Sequence, residues 1–106
     1  MINYQDFSKL ELKIAKIKEV EEIEGADKLL ALKIDLGDEE RQIVAGIKKN
    51  YTKEGLIGKE IVVVANLEPV VLKGVESQGM LLAADSEEGP VLLAPEKEVN
   101  PGSKIK

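Results

Sequence analysis

At 106 residues the chain is one domain's worth of polypeptide, able to bury roughly 60–70% of its unfolded surface without staples. It contains no cysteine and no histidine, which excludes disulfides, thiolate metal sites, the usual zinc ligands and the commonest general base. The 15 basic and 20 acidic residues give a net charge of −5, opposite to the basic balance common in nucleic-acid binders.

Distribution matters more than the total. The stretch 41–59 carries Arg41, Lys48, Lys49, Lys53 and Lys59 against Glu54 alone, while the acids gather at residues 19–24, 38–40, 87–88 and 96–98. A basic region on an acidic protein binds phosphate weakly and with sharp salt sensitivity. A charged fraction of 33%, almost all Lys and Glu, leans toward thermophile composition. No apolar run approaches the ~20 residues of a membrane span and the N-terminus lacks a signal-peptide pattern, so a cytoplasmic protein is expected.

Residues 1–8 read as a short polar lead carrying Tyr4 and Phe7. Leu10, Leu12 and Ile14 alternate with polar residues, the period of a half-buried strand. Ile17, Val20 and Ile23 fall out of that phase, which predicts a bulge or strong bend in one long strand. Ile14, Ile17 and Lys18 also fit a helical period; the β-branched residues and the Gly25 stop favour strand. Leu30, Leu32, Ile34 and Leu36 alternate cleanly into a polar turn at residues 37–40, and 42–47 follows as the hairpin partner. A short helix is predicted over 51–57, capped by Asn50 and ended by Gly58, with Gly55 holding it to one or two turns. Then come a strand over 60–66, a Pro-interrupted loop over 66–80, a strand over 80–84, a turn at 87–90 and a strand over 91–94. Three meandering strands, a short helix and two more strands is the order of an OB-fold barrel, whose bent first strand pairs on both sides. Periodicity alone leaves other small all-β barrels open.

The segment from Asn66 to Met80 holds one cation, Lys73, with Ser77, Gln78 and two glycines, between two apolar strands. Polar groups on a loop between buried strands are where a rigid scaffold presents a site. That segment resembles the tRNA-binding domain family, which includes the C-terminal or β-subunit module of methionyl-tRNA synthetases and a free-standing structure-specific tRNA-binding protein. The resemblance extends to Leu12–Ile17, to Gly25-Ala26-Asp27-Lys28-Leu29, to residues 41–47, to Gly58-Lys59, to residues 62–67 and to the closing turn Pro101-Gly102-Ser103-Lys104. It implies an all-β, five-stranded OB-fold Greek-key barrel over residues 1–106. It also implies a short helix between the third and fourth strands and terminal segments that make a homodimer.

By the same resemblance Lys73 is a phosphate contact; its bland reading is a solvated loop lysine. Ser77 and Met80 match the family's Ser and Met. Ser77 would contact a phosphate or a 2′-hydroxyl or else stabilise a turn, and Met80 would touch RNA or pack in the core. Asn66 bonds a base edge or ties down loop backbone. Lys28 and Lys33 lie on the early strands, across which OB-fold ligands bind, or on a plain solvated face. Asp27 is expected to cap or turn its loop. Arg41, the only arginine, is expected to pair with Glu39 or Glu40 rather than with phosphate. Tyr4, Phe7, Val91, Leu92, Leu93 and Ile105 are the candidate dimer interface.

Tyr4, Phe7 and Tyr51 are the only aromatics, too few for the stacking platforms of single-strand binders, so a folded RNA suits the inventory better. Ser77 has no histidine to activate it, the paired carboxylates sit in surface runs, and no phosphate-loop glycine pattern occurs. The sequence therefore predicts a non-catalytic tRNA-binding module without cofactor or metal. It would act with a methionyl-tRNA synthetase catalytic chain, away from membranes, by raising the local concentration of tRNA. Two rivals are a peptide-binding, export-related chaperone of the same fold, which the acidic balance suits, and a dimerisation module that has lost its RNA face.

Overall fold

The computed structural model describes residues 1–106. Its elements in order are α1 (Tyr4–Ser8), β1 (Leu12–Glu22), β2 (Leu30–Asp35), β3 (Glu40–Ala45), α2 (Lys53–Leu56), β4 (Glu60–Val64), β5 (Val70–Leu72), β6 (Val75–Ser77), β7 (Met80–Leu81), β8 (Ala83–Ser86) and β9 (Gly89–Leu92). The main sheet has the order β3-β2-β1-β4-β7 and curls into a nearly closed five-stranded OB-fold barrel.

β1 is the keel. Its first half pairs with β4, from Leu12 opposite Val64 to Lys16 opposite Glu60, and its second half pairs with β2. The register shifts between Ile17 and Glu19, the phase slip expected from the sequence. One extra residue there bends the strand so that it serves two neighbours. The Ile17 backbone turns aside at the bulge: its N–H donates to Lys59 O (2.9 Å) and its carbonyl accepts from Gly58 N (2.8 Å).

The alternating apolar residues of β1 and β2 point inward, whereas Leu10, just before β1, is exposed. Ile17, Leu30, Leu32, Ile34, Ile43, Leu56, Ile61 and Val63 are fully buried. Leu56 lets α2 plug one end of the barrel, and Tyr51, Leu81 and Leu92 pack around the same cluster. The Thr52 hydroxyl caps α2 by accepting from Gly55 N (3.0 Å). The expected cap, Asn50, instead donates from Nδ2 to Glu88 O (2.8 Å), because the β8–β9 turn lies within its reach.

Other boundaries move too. The polar lead becomes α1, capped by the Asn3 side chain, which accepts from Asp6 N (2.9 Å). The strand expected over 80–84 breaks at Leu82 into β7 and β8, and β8 turns away to pair with β9, which begins at Gly89 rather than Val91. The C-terminal turn locks the free side of β1: Gly102 N donates to Ile14 O (2.7 Å), and Ile105 N to Leu12 O (2.9 Å). Gly102 has φ +87°, and a Cβ there would collide with the Leu36 carbonyl, so only glycine fits. No helix is long and apolar enough to cross a membrane.

Candidate nucleic-acid interface

The segment 66–80 is not an open loop. β5 and β6 form a two-residue hairpin with Leu72 opposite Val75 and Val70 opposite Ser77. The connecting residues Lys73 and Gly74 have φ +50° and +80°. Positive φ at both centres is what a type I′ turn requires, and Asn-Gly satisfies it best. Lys73 is the one non-glycine residue with positive φ in the chain. Such a lysine carries backbone strain of about 1 kcal/mol or more. Strain of this kind concentrates at functional sites, and the turn holds the lysine at the hairpin tip.

The hairpin is fastened to the barrel by side chains. Ser77 is 3% exposed; its Oγ accepts from Val44 N (2.9 Å) and donates to Gly79 O (3.0 Å). Gln42 Nε2 donates to Glu76 O (2.9 Å), and Gln78 N donates to Gln42 O (2.8 Å). Val75 packs against the small cluster of Ile23, Ala26, Ala31 and Val44. Arg41 clasps both ends of the segment, donating from Nη1 to Ala65 O and, at 3.4 Å, to Gln78 O. Its Nε meets Glu39 Oε1 at 2.8 Å, the ion pair expected for it. That hydrogen bond holds the Glu39 carboxyl below its ordinary range and the guanidinium above its own. Asn66 pins the start of the segment: its Oδ1 accepts from Glu11 N (2.8 Å) and its Nδ2 donates to Lys9 O (2.7 Å).

The candidates thus divide by position. Ser77 is buried and its hydroxyl is satisfied, so direct contact with a phosphate or 2′-hydroxyl gives way to its turn-stabilising role. The Asn66 amide is engaged with backbone, as the second of its two readings had it. Lys33 is set apart on an acidic patch, 3.8 Å from Glu19 and 4.0 Å from Glu40. The basic stretch 41–59 is partly neutralised, with Arg41 on Glu39 and Lys48 Nζ 3.0 Å from Glu22, whose carboxyl is lowered by that contact.

Lys28 and Lys73, 45 residues apart in sequence, come together instead. Both are exposed, neither has a carboxylate within 4.0 Å, and they line one pocket of about 340 Å³ with residues 25–27 and Leu29. Met80 is 48% exposed rather than packed in the core. It lines a second, larger cleft along the same hairpin, with Leu67, Glu68, Val70 and Leu72. Sequence reading missed those four, although Val70 and Leu72 share a period-2 face that could have marked a strand.

At the termini, Tyr4 is 79% exposed and stacks obliquely on half-buried Phe7, with ring centroids 6.5 Å apart. Val91 and Leu93 are exposed and Ile105 is half-buried, but Leu92 turns inward onto the core and leaves the outer surface to its neighbours.

The small OB barrel thus carries a pair of lysines free of carboxylate partners and, along the fastened hairpin, an apolar cleft, an arrangement that can meet a polyanion with apolar parts. Comparison with known proteins gives the narrower class. The family model described as "Putative tRNA binding domain" matches residues 12–104, and the chain belongs to that family. The methionine–tRNA ligase of Thermococcus onnurineus is 51% identical over 105 residues, 99% of this chain but 14% of that enzyme. The chain therefore spans about one-seventh of this curated relative. Among solved structures, a MetRS-related protein from Pyrococcus horikoshii superposes with a TM-score of 0.93 at 38% identity, covering 100% of this chain and 98% of that one. The chaperone CsaA of Bacillus anthracis superposes at 0.91 with 35% identity, covering 100% and 99%.

Proposed function

We propose that the chain is a non-catalytic module that binds folded tRNA and works in the cytoplasm with a methionyl-tRNA synthetase catalytic chain. It does so by holding tRNA at raised local concentration rather than by chemistry. The observation that carries this reading is the strained Lys73 at the hairpin tip, sharing a pocket with Lys28, both free of carboxylate partners. Phosphate contacts from two lysines in separate loops position a folded RNA and themselves carry no sequence information. The exposed apolar groups Tyr4, Val91 and Leu93, with Phe7 and Ile105, are the ones a second copy would cover in a homodimer.

A peptide-binding chaperone is the second reading, favoured by the likeness to CsaA and by the net charge of −5. Low-salt binding of folded tRNA against an unstructured RNA of equal length separates the two. Lys73→Ala is expected to weaken tRNA binding and to flatten the log-affinity against log-salt slope by roughly 0.7–0.9. Lys73→Asn is the sharper variant. It suits the left-handed turn better, so the melting temperature holds or rises while tRNA affinity falls. Wild-type affinity in either variant, or equal binding of both RNAs, removes Lys73 from a structure-specific site.

A further inference from the structure

We propose that the cleft beside the hairpin is a pocket for one unstacked nucleobase, and that Glu68 reads the amine edge of that base. The inference rests on the tRNA-binding reading and names what the second cleft is for. The cleft holds about 530 Å³, within the usual range of about 300–1,000 Å³ for small-ligand sites. Its walls are Leu67, Val70, Leu72, Met80 and Val44, and Glu68 is the one charged side chain in the lining.

Four of those apolar side chains stay open to solvent, with Leu67 at 41%, Val70 at 53%, Leu72 at 39% and Met80 at 48% exposure. They stay open because only β6 is stitched to β3, Ser77 to Val44 and Gln42 to Glu76, which leaves β5 on the outer side of the hairpin with no strand beyond it. Apolar walls suit the faces of a flat ring. Aliphatic and thioether groups supply that contact where aromatic residues are absent.

The occupant follows from charge and continuity. Leu72 in the cleft is adjacent in sequence to Lys73, which shares the other pocket with Lys28. A nucleotide whose phosphate meets the lysines therefore has an apolar recess beside it. Glu68 has no cation within 4.0 Å and belongs on no phosphate surface, since it repels the backbone. A carboxylate does accept from the exocyclic amine of cytosine, and it meets uracil less well, since that edge flanks its single N3–H donor with two carbonyl oxygens.

Glu68→Gln gives a test by sign. Removing a negative charge beside an RNA surface strengthens phosphate binding if Glu68 is a bystander. Under the proposal, the variant weakens tRNA binding by about tenfold at unchanged salt slope, since a charge-assisted bond to a base amine becomes a weaker neutral one and no phosphate contact is lost. Met80 is one of only two methionines, so its labelled methyl resonance reports on the cleft directly. Cytidine 5′-monophosphate is expected to move that resonance more than uridine 5′-monophosphate, and Glu68→Gln to erase the difference.

Unchanged or tighter tRNA binding by Glu68→Gln overturns the proposal, as does a Met80 methyl that neither nucleotide moves at high millimolar concentration. A methyl that answers only to an apolar peptide makes the cleft a peptide site. One that shifts with protein concentration alone assigns it to a second copy. A wild-type protein that fails to bind tRNA at all sinks the functional reading itself. Binding with an unresponsive cleft sinks only this pocket.

Discussion

The barrel and the hairpin that leans on it are held by different physics. β1, β2, β3 and β4 are joined by continuous backbone ladders over a core of fully buried aliphatic side chains. The 70–77 hairpin has three residue pairs of its own and a small apolar anchor at Val75, and its attachment to β3 runs through the side chains of Ser77 and Gln42 with one backbone bond from Gln78. Burial makes the first region insensitive to surface change. Attachment through single polar atoms lets the second present a strained lysine and an open cleft without disturbing the fold. The scaffold and the site are thus separately adjustable, and each variant below is chosen to strain that separation.

The largest effect belongs to the barrel. Leu32 has no exposed surface, and Leu32→Ala is expected to cost about 2–5 kcal/mol in denaturant unfolding, a large share of the stability of a domain this size. A cost under about 1 kcal/mol would mean the core is more plastic than its packing indicates. Ser77→Ala comes next. It strands the Val44 N–H and is expected to cost about 1–2 kcal/mol. Hydrogen exchange should speed up at Val44 and across the hairpin while the β1 and β2 amides keep their protection. Equal acceleration in both regions would show one cooperative unit and erase the distinction.

The smallest effect is on pH. The Arg41 hydrogen bond lowers the folded-state pKa of Glu39 below the ordinary 4.5. Its contribution is therefore present above about pH 4.5 and is lost as the pH falls through the lower folded value. Glu39→Gln should flatten the acid limb of the melting curve by no more than about two degrees, since the Glu39 carboxylate is exposed. An unchanged limb would show that Arg41 holds the segment through Ala65 and Gln78 alone.

The barrel was legible in the sequence because its signals are local. Alternation at 30–36, the phase slip along β1 and the Gly58 stop each report on neighbours a few residues away. The hairpin was hidden because Pro69 stands immediately before it and its turn is Lys-Gly where Asn-Gly would have announced it. α1 passed for a lead because five residues are too few to show a period. The roles of Ser77 and Asn66 were open for a different reason. Their partners are 33 and 55 residues away, and no spacing rule carries that information. The Asn50 cap failed on the same account, since Glu88 lies 38 residues on. Family resemblance singled out a stretch of chain; only the fold separates the residues that face outward from those that hold them there.

The Ser77 hydroxyl has one more consequence. β3 is an outer strand of the main sheet and carries Ile43 and Val44, the kind of apolar, β-branched sequence that recruits a foreign strand when its amides are free. Here the Val44 amide meets a hydroxyl and the Gln42 carbonyl meets a loop N–H, so the seam where the barrel nearly closes is sealed without a full partner strand. The stitch that fastens the hairpin to β3 thereby also blunts an edge that could otherwise template aggregation.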